Sequence, residues 1–180
     1  DHHGNLERWD LGVRHFTGIQ LPQNHPKRIH IHWKRVRRGT LEYFGRLVEW
    51  SDEEEARTGR AGSELRGEAI QYMALTFAYD DWDEDGIPDS ISPLTRIQDP
   101  SLMPQDRPWT PEVYFALGDA LFEAARYELA IQVWEMAIGR WPLDRRVPDT
   151  THNISRAYAR LEQRAEEQRW IEALGGLGPD

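Results

Sequence analysis

The sequence predicts an all-α chain of stacked helix hairpins, and three observations predict it. The stretch from Pro111 to Pro142 carries two amphipathic helical periods separated by a turn. Its small residues, Gly118 and Ala130, fall where two helix backbones must approach closely, with bulky Tyr114 and Trp134 beside them. Stretches on either side repeat the same offsets, the mark of an array. The 180 residues, 39% apolar with eight Trp, are enough to bury a core.

Taken in order, residues 1–39 show no helical period. "RIHIHW" (28–33) alternates like a short strand, so this segment reads as irregular. Residues 40–79 read as two helices. "TLEYFGRLVEW" (40–50) places Phe44 and Leu47 in an aromatic and a small slot, and "RGEAIQYMALTFAY" (66–79) places Ile70, Met73, Ala74 and Phe77 on one face. "SDEEEARTGRAGSE" (51–64) reads as the polar loop between them. Residues 80–109 read as a long acidic insertion, a length that in compact domains is functional or disordered.

Residues 110–144 form the clearest unit. Thr110 is placed to cap the first helix and Pro111 to start it, with Tyr114, Leu117, Gly118 and Leu121 on one face. The second helix carries Ala130, Ile131, Trp134, Ala137 and Ile138 and stops before Pro142. Residues 145–180 repeat the pattern less faithfully through Thr151, Ile154, Ser155, Tyr158, Ile171 and Leu174. Glu167 stands in the small-residue slot, so the last helix is expected to face water as a cap.

The order Tyr114-x2-Leu117-Gly118-x2-Leu121, then Ala130-x3-Trp134, then Ala137 and Pro142, with Ala125 at the usual turn glycine, resembles the tetratricopeptide repeat. The resemblance implies an α-solenoid whose concave groove is lined by the first helices. The positions such repeats present to ligand are here Glu112, Phe115, Asp119 and Phe122, and in the last repeat Asp149, His152, Arg156 and Ala159. The Lys and Asn clamp of chaperone-binding members is absent. Two Phe on the groove imply an apolar anchor for an extended or helical peptide, with Arg156 adding a charge contact. The opposite reading is that Phe115 and Phe122 pack on the neighbouring repeat.

The run "DDWDEDGIPD" (80–89) holds six acids and no base. Asp81, Asp83 and Asp85 occupy positions 1, 3 and 5 of a D-x-D-x-D-G pattern, with Gly86 at 6, Ile87 at 7 and Asp89 at 9. Alternate Asp can wrap a calcium ion, Gly permits the sharp turn, and residue 7 offers its carbonyl. Ser92 replaces the bidentate Glu at 12 and Pro88 the β-branched residue at 8, which argues against a paired EF-hand. The stretch resembles the calcium loops of thrombospondin type 3 and bacterial surface repeats. One fewer carboxylate implies weak binding, useful where calcium is abundant, hence a periplasmic or outer-membrane and cell-surface location. The bland reading is a solvated loop whose Asp side chains cap their own turns.

Other classes find less support. The net charge of −9 argues against a general nucleic-acid binder, although "KRIHIHWKRVRR" (27–38) holds six Lys or Arg and no acid. That run could serve phosphate-rich polymers or an anionic membrane surface, allowing peripheral membrane association, or could pair with a neighbour's acidic loop. No apolar run reaches membrane-spanning length. His2, His3, His30 and His32 lack a third ligand at recognisable spacing, and no nucleophile or phosphate-cradle motif is present, so no enzyme is expected. There is no Cys, and the chain starts at Asp1 without a signal-like segment, as a mature or excised piece would.

The combination of residues 68–89 with 107–142 resembles envelope tetratricopeptide proteins of myxobacteria and their relatives, including those of gliding-motility machinery. That implies a scaffold docking other envelope proteins. The alternative is a calcium-dependent adhesion or polysaccharide-binding module with Trp33, Trp82 and Trp109 as sugar-stacking residues.

Overall fold

The computed structural model describes residues 26–59, 64–82 and 87–175, and all regular structure among them is helical. The elements are α1 (Pro26–Thr58), α2 (Glu64–Ala78), the short α3 (Pro93–Ile97), α4 (Thr110–Glu123), α5 (Tyr127–Arg140), α6 (Val147–Arg160) and α7 (Arg164–Gly175). The fold is therefore all-α. The long helices pack serially: α1 on α2, α2 on α4, α4 on α5, α5 on α6 and α6 on α7, while α3 lies against α2 and α5. One apolar cluster runs from Leu41 and Val48 of α1 to Ile154 and Ala157 of α6.

Two expectations fail along α1. Residues 26–39 are helical, so neither the strand at 28–33 nor an irregular segment reaching residue 39 stands. Pro26 at the first helical position and a run of Lys and Arg, which are good helix formers, outweigh the alternating pattern. At the other end α1 continues through residues expected to be loop and stops at Thr58. Arg57 pairs with Glu54, the Thr58 hydroxyl donates to Glu54 O at 2.8 Å, and Ser51 is buried. Gly59, at φ +67°, ends the helix and donates its N–H to Glu55 O at 2.8 Å. A left-handed residue just past the last turn is the usual way to satisfy such a carbonyl.

The acidic insertion is also more structural than expected, because its second half is core. Ser92 caps α3 by accepting from Thr95 N–H, and Pro93, Ile97, Met103 and Trp109 are buried. Tyr114, itself buried, donates to Gln105 at 2.8 Å and fixes this segment to α4.

In the α4–α5 hairpin, a Cβ built on Gly118 would lie 2.7 Å from Trp134 Cε2 and closer still to Nε1 and Cδ1, so only glycine fits beneath the indole. Trp134 donates to Phe115 O at 3.3 Å. The turn places Ala125 at φ +57°, and Arg126 N–H donates to Leu121 O at 2.8 Å. Thirty-seven residues later the α6–α7 turn does the same, with Glu162 at φ +59° and Gln163 N–H donating to Tyr158 O at 3.0 Å. The same interval relates Gly118 to Ser155 and Trp134 to the exposed Ile171, so a small residue there faces no indole. α7 has no buried residue.

Candidate functional site

The residues expected to meet a partner lie on α4 and α6, and the structure separates them into two groups. Glu112 is consumed at home. Its carboxylate accepts from both Arg66 nitrogens at 2.8 and 2.9 Å, Arg66 also donates to Asp52 of α1, and Arg146 stands 3.7 Å away. The Glu112 hydrogen bond chiefly pushes the Arg66 guanidinium up, against its own desolvation. This network fastens α1, α2, α4 and the turn before α6.

Phe115 corrects the expectation of an exposed anchor, for it is 2% exposed. The Arg146 guanidinium lies 5.1 Å above its ring and is held in turn by Asp144. Packing on neighbours, the opposite reading, describes Phe115.

Phe122, Asp119 and Arg156 behave differently. Phe122 is half-buried, with the Tyr127 and Trp134 rings at 5.3 and 5.7 Å and the Arg156 guanidinium 5.2 Å over it. Arg156 remains exposed and donates to Asn153 at 3.2 Å. Asp119 keeps contact with solvent, yet surrounding protein desolvates its carboxyl and pushes it up, against a hydrogen bond from Trp134. His152 is exposed on α6.

Of the calcium-type set, Asp83 and Asp85 lie outside the described residues. Ile87 is exposed, Asp81 is half-buried, and Asp89 Oδ2 accepts from Trp82 N–H at 2.6 Å and from Arg96 at 2.8 Å. Among the described residues no group of three His, Asp or Glu could hold a metal ion.

What holds the stem of the acidic run is arginine. Arg126 donates to Ala78 O, Arg96 to Tyr79 O and Asp80 O, and Arg37 to Asp81 O and Trp82 O. Five successive carbonyls, that of Ala78 at the end of α2 and the four that follow it, thus receive guanidinium donors from α1, α3 and the α4–α5 turn. Arg126 also pairs with Asp80. Arg96, 3% exposed, stacks 4.8 Å over Trp82, and desolvation holds its pKa down despite Asp89. Asp89 N–H donates to Asp80 O at 2.8 Å and closes the stem. Sequence reading missed Arg37, Arg96 and Arg126. The one local hint was Arg96 inside the otherwise uncharged "SPLTRI".

The sugar-stacking alternative loses two of its three rings. Trp82 and Trp109 are buried, and the Trp33 side chain lies outside the described residues. Among the described residues no helix is long and apolar enough to cross a membrane. Set against family models, curated proteins and solved structures, the chain matches none.

Proposed function

We propose that the protein is a non-enzymatic interaction scaffold, an α-solenoid of tetratricopeptide-type hairpins that takes a segment of another protein in its groove. The serial packing of helices, the Gly118–Trp134 interlock and the identical turns at Ala125 and Glu162 support the solenoid. The observation that carries the function is the patch of Asp119, Phe122 and Arg156. A half-buried ring beneath an exposed guanidinium, beside a desolvated carboxyl, offers a ligand an apolar contact and charges of both signs. The fitting partner is a peptide segment of an envelope complex, at the periplasmic or outer-membrane surface.

Selecting a displayed random-peptide library on the immobilised protein tests this. Enriched peptides should lose at least about tenfold in affinity for Arg156→Glu. Enrichment of nothing, or of peptides indifferent to Arg156→Glu and Asp119→Asn, would overturn it.

Calcium belongs to the same proposal, on the spacing of Asp81, Asp83, Asp85, Ile87 and Asp89. Asp89 would serve the ion only by sharing its carboxylate with Arg96, so the dissociation constant is expected near ~10⁻⁴–10⁻³ M. Calorimetric titration should give saturable binding that vanishes in Asp83→Ala/Asp85→Ala. No heat up to millimolar calcium would refute it.

A further inference from the structure

We infer, taking the Asp119, Phe122 and Arg156 patch as the binding site proposed above, that the partner segment brings a carboxylate to Arg156 over the Phe122 ring. It would thereby complete a contact that the protein already makes once with its own residues. Phe115 and Phe122 stand two turns apart on α4, and each lies under a guanidinium from the next hairpin, Arg146 at 5.1 Å and Arg156 at 5.2 Å. The first of these two rungs is closed. Arg146 donates from Nε and Nη2 to the two oxygens of Asp144 at 2.8 and 2.7 Å, and Glu112 stands 3.7 Å from its Nη1. The hydrogen bonds from Arg146 hold the Asp144 carboxyl below the usual carboxylate range. Ring, guanidinium and carboxylate follow one another, and the ring is sealed, with Phe115 2% exposed.

The second rung has the ring and the guanidinium without the carboxylate. Phe122 stays half-buried and Arg156 exposed. Among the described residues Arg156 donates only to Asn153, a neutral amide of its own helix, at 3.2 Å. That bond steadies the guanidinium over the ring and leaves its charge uncompensated. A guanidinium carries five donors in a planar fork that meets a carboxylate two at a time, as Arg146 meets Asp144, so most of the fork of Arg156 is open to a ligand. An Asp or Glu side chain fits it, and so does a C-terminal carboxylate.

Peptides enriched from the displayed library on the wild-type protein serve as probes. Each is resynthesised with its Asp and Glu replaced in turn by Asn and Gln, and with its C-terminus free or amidated. One of these changes should cost about three- to tenfold in affinity, as fits a charge-assisted contact that keeps access to water. The same change should cost nothing on Arg156→Gln, because the two groups would no longer meet. A loss on side-chain replacement assigns the carboxylate to an Asp or Glu, and a loss on amidation to the terminus; either supports the inference. Selection repeated on Arg156→Glu should shift enrichment from acidic to basic residues. Peptides that weaken on Arg156→Glu yet tolerate every neutralisation would overturn the inference while leaving the patch a binding site. Enrichment of nothing would overturn both. Sedimentation velocity showing a dimer that Arg156→Glu abolishes would also overturn it, since a second copy would then occupy the rung.

Discussion

Substituting Gly118 by Ala should be costly out of proportion to one methyl group. The added Cβ would lie 2.7 Å from Trp134 Cε2 and nearer to two other ring atoms, and no Cβ tolerates contacts under 3.0 Å. The indole cannot simply swing away. Trp134 is fully buried, packs on Phe122 and donates to Phe115 O. Overpacking of this kind costs about 1–3 kcal/mol, and losing the indole hydrogen bond adds about 1 kcal/mol. Replacing a mid-helix glycine returns about 1 kcal/mol of propensity. The net loss is then about 1–3 kcal/mol, or a fall in midpoint of about 2–12 °C. Gly139 supplies the control, since nothing lies within 4 Å of a Cβ there; Gly139→Ala should stabilise by up to about 1 kcal/mol. Urea and thermal unfolding of both variants would decide it. On a Trp134→Leu background the Gly118→Ala penalty should shrink, giving a coupling above about 1 kcal/mol. Equal behaviour of the two alanine variants would refute the close approach of α4 and α5.

Arg96→Met should cost about 3 kcal/mol in urea unfolding, because it strips buried donors from Tyr79 O and Asp89. A loss under about 1 kcal/mol would mean that the clamp is dispensable. Ala125→Gly and Glu162→Gly should each raise stability by about 0.5–1 kcal/mol, because both positions hold a left-handed backbone that disfavours a side chain. Asp119 has a raised native pKa, so its contribution is fully present below about pH 4 and lost as pH rises through the native value. The Asp119→Asn variant should match wild type in acid and exceed it at neutral pH in a series of urea midpoints; a difference constant with pH would contradict this.

Much of the α4–α5 hairpin could be read in advance because its cues are local. Pro111 stands in its first turn, a 3.6-residue period runs through it, and Gly118 and Trp134 answer one another within sixteen residues; Thr110 is the first helical residue and not the expected cap, its hydroxyl donating to Pro104 O at 2.8 Å. The beginning of α1 was misread for an equally local reason: Ile29 and Ile31 alternate with His30 and His32, and charge hides the helical period. The acids at 52–55 suggested solvent and loop, though Glu is a sound helix former. The arginine clamp had no local signature. Arg37, Arg96 and Arg126 are scattered over ninety positions, and nothing around any one of them names a backbone carbonyl as its target. At the patch, offset alone could place Phe115 and Phe122 on one face but could not say which would be covered. That was decided by Arg146, which belongs to the next unit.

The stem closed between Asp80 O and Asp89 N–H offers a docking port for protein engineers. Three guanidinium groups and a buried tryptophan fasten its two legs before the chain departs between residues 82 and 87. The body of the protein is therefore insulated from whatever that interval contains. Since lengthening a closed loop costs only about 0.6 kcal/mol per doubling, an epitope, a lanthanide-binding tag or a small folded module can be spliced there with the host fold expected to keep its stability.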